Sequence, residues 1–402
     1  MDGFFQEWSR RKFITSITGA SAAILIGPHL SWATNGMDPN IARIVAKTMG
    51  IDTHNHIDVP LIASELPGPK INLSGEMKRS GLSAICMTFA VDYQQLKNEG
   101  DAYDRFLNGL KAMDKMLLEN GVKRALNWDD LRSSHEKHVP TVIQSVEGAH
   151  FLEGHLDRLE VAYKKGLRHL TLLHDNDASV PLGDVFTNPA QFGGLTPFGI
   201  ETIKECNRLG ILVDLSHGTN EMVNAALKVS TKPALISHTG LDSQLGQNEF
   251  MNKMMRPRLI SKEQARIVAD AGGVIGVWTH LADTPLAYAQ NIRAMADVVG
   301  IDHVCIGTDT KLTPAYQSPS AVREHRDKNP KKPGDDKQNE SKDQKNQSKR
   351  NGGSNEIWPD QKLGFYYTVV EAMLKTGFTE DEIAKIGGGN FCRIFDAATI
   401  GH

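Results

Sequence analysis

Eight short apolar runs, each bounded by turn residues, recur along the chain after residue 40. They are MGID ending at Asp52, SAICMTF (83–89), TVIQSV (141–146), LRHLTLL (167–173), ILVDLS (211–216), PALIS (233–237), GVIGVW (273–278) and HVCIGT (303–308). Runs this short and rich in β-branched residues read as strands buried on both faces, as in a parallel sheet. Amphipathic stretches separate them. DAYDRFLNGLKAMDKMLLEN (101–120) has helical apolar spacing, and LDRLEVAYKKG stops at Gly166. TPFGIETIKECNRLG offers Thr196 as N-cap, Pro197 at the first helical position and Gly210 as the stop, and SKEQARIVADAGG begins at Ser261. Strand and helix alternating eight times predict an α/β fold, a (β/α)8 TIM-like barrel with closing C-terminal helices. An open doubly wound sheet fits less well, because no glycine-rich phosphate loop follows the first strand.

Two segments stand outside this alternation. SRRKFIT (9–15) sets paired arginines before the uncharged run FITSITGASAAILIG, with SWA at 31–33 supplying small residues for a cleavage site. The run has the length of a signal-peptide core and is too short for a good membrane span. Residues 1–33 therefore read as a twin-arginine-type signal peptide, with export to a bacterial periplasm or the outside and residues 34–402 as one domain. The second segment, about 323–356, is charged and contains no large apolar residue, so it reads as a flexible insert. It follows the eighth strand and would emerge on the face where barrel active sites lie.

The formal net charge of −3 gives no basic excess for nucleic acid or an anionic membrane. Cys86, Cys206, Cys305 and Cys392 are scattered without CxxC spacing and read as buried free thiols rather than a zinc or disulfide framework.

Six of the eight runs are followed by an ionisable residue: His54 and His56 after the first, Glu147 after the third, His174 after the fourth, His217 after the fifth, His238 after the sixth and Asp309 after the eighth. Barrel chemistry sits at the C-terminal ends of strands, so this agreement points to a metal site. Imidazoles with a carboxylate and no thiolate suit catalytic Zn²⁺ with an open position for water. Four histidines and a glutamate are too many for one such ion. They divide into two Zn²⁺ sites sharing Glu147 and a bridging water or hydroxide, with the ions roughly 3.5–4 Å apart. Asp309 is left to accept the water's proton and pass it on. The first motif, IDTHNHIDVP, can be set in two registers: counting from Asp52 the ligands are His54 and His56, and counting back from Pro60 they are His56 and Asp58. Both keep two-residue spacing on one strand face; the first is preferred, because His54 and His56 lie closest to the apolar strand, and Asp58 is then a residue outside the ligand set.

SVEGAH, GLRHLTLLH, GGLTPFG with NRLGILVDLSH, GGVIGV and EIAKIGGGNFCRIF, in that order over about 48–396, resemble the membrane (renal) dipeptidases of the amidohydrolase superfamily. The resemblance implies a binuclear zinc barrel hydrolase acting on small peptides, dipeptides that can carry a D-residue at the C-terminal side. It makes Glu147 the bridging ligand, His217 and His238 ligands of the second metal, Asp309 the catalytic aspartate, His174 the group that steadies the oxyanion, and Arg258 the receiver of the substrate carboxylate. It also allows a homodimer. Two departures bear on substrate choice: the first motif usually reads His-x-Asp where His56 stands here, and Lys311 replaces an acidic residue after Asp309. They keep open a hydrolase of a lactone, an N-acyl amino acid or a cyclic amide. The family's mammalian lipid-anchor signal has no counterpart in the closing DAATIGH, so no such anchor is implied, and no stable membrane span of the mature chain is expected.

Overall fold

The computed structural model describes residues 38–93, 95–320, 322–323 and 353–401. Two compact units divide at Asp38, and all that follows concerns Pro39–His402. The expected signal peptide and residues 324–352 of the expected insert lie outside the described residues.

Eight parallel strands close into a barrel: β1 (Ile51–His56), β2 (Ala84–Thr88), β3 (Thr141–Glu147), β4 (Leu167–Thr171), β5 (Leu212–Asp214), β6 (Leu235–Thr239), β7 (Val274–Val277) and β8 (Val304–Ile306). Each pairs with its neighbour in sequence, and β1 pairs with both β2 and β8. A two-residue strand, β9 (Thr310–Lys311), adds to the open end of β1, with His56 opposite Lys311. β1 runs through His56 instead of stopping at Asp52, so the two histidines lie in the strand and not beyond it. Polar residues can continue a buried strand here because their side chains are paired: Asp52 accepts bonds from Thr308 and Asn55.

The helices follow the capping chemistry of the sequence. Thr196 caps Pro197–Leu209, Ser261 caps Lys262–Asp270, and Thr379 with Glu382 forms a capping box on Glu380–Ala384. All four cysteines are buried and unpaired. No described helix is long and apolar enough to cross a membrane.

The apolar core has two parts. The larger fills the layer between strands and helices. The smaller plugs one end of the barrel: Ile51, Cys86, Ile143, Leu212, Leu235 and Val274 meet Phe391, Ile394 and Phe395 of the last helix, Asn390–Thr399. With that end sealed by hydrocarbon, the opposite end of the strands is free to carry polar groups.

The end of the charged stretch departs from its expected flexibility. Ser354 and Asn355 are buried, and the Ser354 hydroxyl bonds Asn55 and Thr310. Asn355 bonds Glu76 and the Phe365 N–H. Counting apolar residues misses such a segment, because hydrogen bonds to the barrel rim hold it.

Gly276 and Gly307 lie against the Ser237 carbonyl from β7 and just past β8, and a Cβ at either would fall inside its contact distance. Gly307→Ala is therefore expected to lower unfolding stability by about 1–3 kcal/mol or more through overpacking. Chemical denaturation measures it, and an unchanged midpoint would show that the backbone relaxes.

Candidate metal centre

Glu147, at the end of β3, is the geometric centre. Its Oε1 lies 2.9 Å from His217 Nε2, 3.3 Å from His54 Nε2 and 3.6 Å from His238 Nε2. Its Oε2 lies 3.4 Å from His174 Nε2 and 3.7 Å from His56 Nε2, and has no hydrogen-bond partner although buried. The histidines form two pairs across it: His54 and His56 Nε2 are 3.3 Å apart, and His217 and His238 Nε2 are 3.0 Å apart. Asp309 Oδ1 lies 3.0 Å from His56 Nε2, and its Oδ2 takes a 2.7 Å bond from His280 Nε2.

The outer ring nitrogens are anchored while the inner ones converge. His54 and His238 Nδ1 lie 3.2 and 2.9 Å from Ser237 Oγ, and His56 Nδ1 lies 2.7 Å from the Tyr93 hydroxyl. His174 Nδ1 bonds Asp92 at 2.6 Å. His217 Nδ1 is 3.2 Å from Asp175 Oδ1, a charge contact without hydrogen-bond alignment. Neutral imidazoles held at one nitrogen and offering the other to a common centre suit a divalent cation. The unpartnered Glu147 oxygen is consistent with the same group. His54, His56 and Asp309 offer atoms within 4.8 Å of one another, as do Glu147, His174 and His217, and as do His54, Asp214 and His238. Asp214 has little ligating capacity left, because Thr171, Ser216 and Ser237 already bond its oxygens.

Backbone strain collects here. His217 (φ 69°) and Asp309 (φ 55°) are two of the four described non-glycine residues with positive φ, a conformation that persists where surrounding structure enforces it.

Burial holds the His238 imidazole well below its usual value, with His54 adding to the effect, but at four other groups attraction outweighs burial. Glu147 is held well below the usual carboxylate range, since His174 and His54 outweigh its desolvation. Asp309 is likewise held low, desolvation being outweighed by His238 and His280. Burial would lower His54, but Glu147 and Asp309 push it up to about 9. Burial would also lower His217, which Asp175 and Glu147 push up to about 10.

The sequence-expected residues His54, His56, Glu147, His174, His217, His238 and Asp309 thus come together. Asp58 does not join them in the hydrogen bonds and ion pairs described. Its Oδ2 lies 2.5 Å from Lys311 Nζ and 3.3 Å from the Tyr316 N–H. Arg258 lines a cavity of about 330 Å³ together with His217, His238, Phe186 and Trp278. Its Nη2 lies 2.5 Å from Asp175 Oδ2. Reading the strand ends did not find Asp92, Tyr93, Asp175, Ser237 or His280. Asp92 and His280 do lie past β2 and β7, the two strands that seemed to contribute nothing.

A closed parallel barrel with a convergent histidine–carboxylate cluster at the strand C-termini is the architecture of a metal-dependent barrel hydrolase. The chain belongs to the Membrane dipeptidase family (peptidase family M19), whose profile matches residues 39–318. It is 38% identical over 119 residues to an uncharacterized dipeptidase of Schizosaccharomyces pombe, a match covering 28% of this chain and 26% of that protein. The chain thus spans about a quarter of that relative's length. Among solved structures it is similar to an amidohydrolase from Pseudomonas aeruginosa, with TM-score 0.67, 23% identity, and 89% of this chain and 98% of that one covered. It is also similar to a metallo peptidase from Rhodobacter sphaeroides liganded with a phosphinate mimic of L-Ala-D-Ala, with TM-score 0.61, 17% identity, and 87% and 99% covered. Both likenesses show the fold.

A pH dependence follows from the histidines. In the metal-free protein, raised His54 and His217 bind protons more tightly folded than unfolded. Their stabilisation is full below about pH 6.5 and is lost as pH rises through about 9–10. Metal needs these nitrogens deprotonated. Thermal unfolding in chelator should therefore lose stability between about pH 7 and 10, and zinc should reduce that loss. A metal-free melting temperature that rises over this range would contradict the assignment.

Proposed function

We propose that this chain is a binuclear zinc dipeptidase. Glu147 standing between two histidine pairs, with the outer nitrogens of His54, His56 and His238 held by hydrogen bonds, carries that reading. In it His54 and His56 would hold the first ion and His217 and His238 the second, with Glu147 offering a carboxylate oxygen to each. Bound there, two Zn²⁺ ions would supply Lewis-acid polarisation of the scissile carbonyl and acidify the attacking water.

The chain's own groups divide the remaining work. Asp309 Oδ1 takes the proton from the attacking water and delivers it to the leaving amine, while His280 fixes the other oxygen. His174 presents Nε2–H to the developing oxyanion. Asp92 at Nδ1 orients it and, with Glu147, raises its affinity for the proton against the effect of burial. Arg258 receives the substrate's terminal carboxylate beside the cavity, its guanidinium held by Asp175. The neighbour that carries the L-Ala-D-Ala mimic supports a D-residue at the C-terminal side. The paired arginines Arg10 and Arg11 before an uncharged run support export by a twin-arginine route.

Asp309→Asn keeps the shape and removes the proton acceptor. It is expected to retain two metal ions by elemental analysis and to lose about 10²–10⁴ in kcat. Near-normal turnover would remove Asp309 from this role. The unmodified enzyme is expected to cleave L,L and L,D dipeptides and to leave lactones, N-acyl amino acids and cyclic amides intact. Cleavage confined to the latter set would overturn the dipeptidase reading in favour of another amidohydrolase activity, the alternative that His56 and Lys311 motivate.

A further inference from the structure

Beneath the candidate metal centre lies a fully buried polar layer that the proposed chemistry does not use. Ser237, in β6, is its hub. Its hydroxyl lies 2.5 Å from Asp214 Oδ2, 2.9 Å from His238 Nδ1 and 3.2 Å from His54 Nδ1. Asp214 is fixed in turn: Oδ1 takes bonds from the Ser216 N–H and hydroxyl and the Ser237 N–H, and Oδ2 takes one from Thr171. Donors surround this carboxylate, so it acts as acceptor only. The single Ser237 hydrogen is therefore committed to Asp214, its shortest contact.

Two lone pairs remain on Ser237 Oγ, and two imidazole nitrogens face them. Ser237 can only accept there, so His54 and His238 must each carry their hydrogen on Nδ1. In the neutral rings that metal binding requires, each Nε2 is then left as a bare lone pair aimed at the centre. The two histidines belong to different pairs around Glu147, and their rings are 4.0 Å apart at the centroids.

We propose that Ser237, oriented by Asp214, is a positioning residue that sets the ligating tautomer of one histidine at each of the two metal positions, so that both ions depend on one hydroxyl. This rests on the binuclear reading of the preceding subsection. A structural polar layer would account for the bonds to Asp214, but not for the convergence of two Nδ1 atoms on one acceptor.

The test is zinc binding by competition with a chromogenic chelator, on the metal-free full chain and its Ser237→Ala and Ser237→Thr variants. Wild type is expected to bind two equivalents. Ser237→Ala should weaken both equivalents together, by about 10–100-fold, the usual effect of removing a group that orients a metal ligand. Ser237→Thr keeps the hydroxyl and should stay within about threefold of wild type on that scale. Loss of only one equivalent in Ser237→Ala, wild-type affinity, or a threonine variant as weak as the alanine one would each overturn the proposal. Should the alanine variant not fold, Ser237→Val against Ser237→Thr makes the same comparison with the same criteria. Fewer than two equivalents on wild type would instead defeat the binuclear reading itself.

Discussion

A carboxylate buried at the centre of five imidazoles is the interaction on which the site depends. Glu147 is 1% exposed, and a lone ion at that depth would be strongly disfavoured. Its charge is tolerated because ring nitrogens approach both oxygens from β1, β6 and the loops after β4 and β5. Those rings gain from the carboxylate in return, which keeps His54 and His217 proton-hungry when no cation is bound. A divalent cation bound there would thus compete with protons for one set of lone pairs. Strained backbone at His217 and Asp309 fits this picture, since surrounding structure holds both where an isolated chain would not stay.

The barrel makes such a centre affordable by separating its contents along its axis. One end is filled with hydrocarbon and stoppered by Phe391 and Phe395. The other holds Asp52, Thr53, Asp214, Ser237 and Thr308, all buried and all hydrogen-bonded. Pairing is what allows these five residues their depth, because each of them unpaired there would cost about 1–3 kcal/mol. Gly276 and Gly307, with no side chains, let the chain pack against the Ser237 backbone carbonyl.

The fold and the inner ring of the site were legible for one physical reason. Strands buried on both faces are short and apolar, so the first ionisable residue after each marks the open end of the barrel. His217, three residues past Asp214 of β5, was found this way. His280 does not adjoin its run, since Thr279 separates it from Trp278, whereas Glu147, His174, His217, His238 and Asp309 each follow theirs directly. Asp92 is likewise set apart from Phe89 by Ala90 and Val91. Ser237 and Asp214 lie inside apolar runs, where a lone polar residue reads as an ordinary hydrogen-bonded core position. Only the three-dimensional convergence of partners separates them from that. Ser354 and Asn355 escaped for the converse reason, since composition measures the capacity to bury hydrocarbon and not the capacity to bond a rim.

The two departures from the family's motifs prove to be neighbours. His56 stands opposite Lys311 in the β1–β9 pairing. With an imidazole where the family usually has a carboxylate, the first motif brings one less negative charge to the cluster. Lys311 would add a positive charge alongside, and uncompensated it would work against cation binding. Asp58, two residues beyond His56, supplies the missing negative charge one step outward and ties up the ammonium at 2.5 Å. The second register of the first motif therefore has a physical content of its own. Asp58 keeps the acidic character expected near that position, but directs it at Lys311, leaving His54 and His56 to face Glu147 and Asp309.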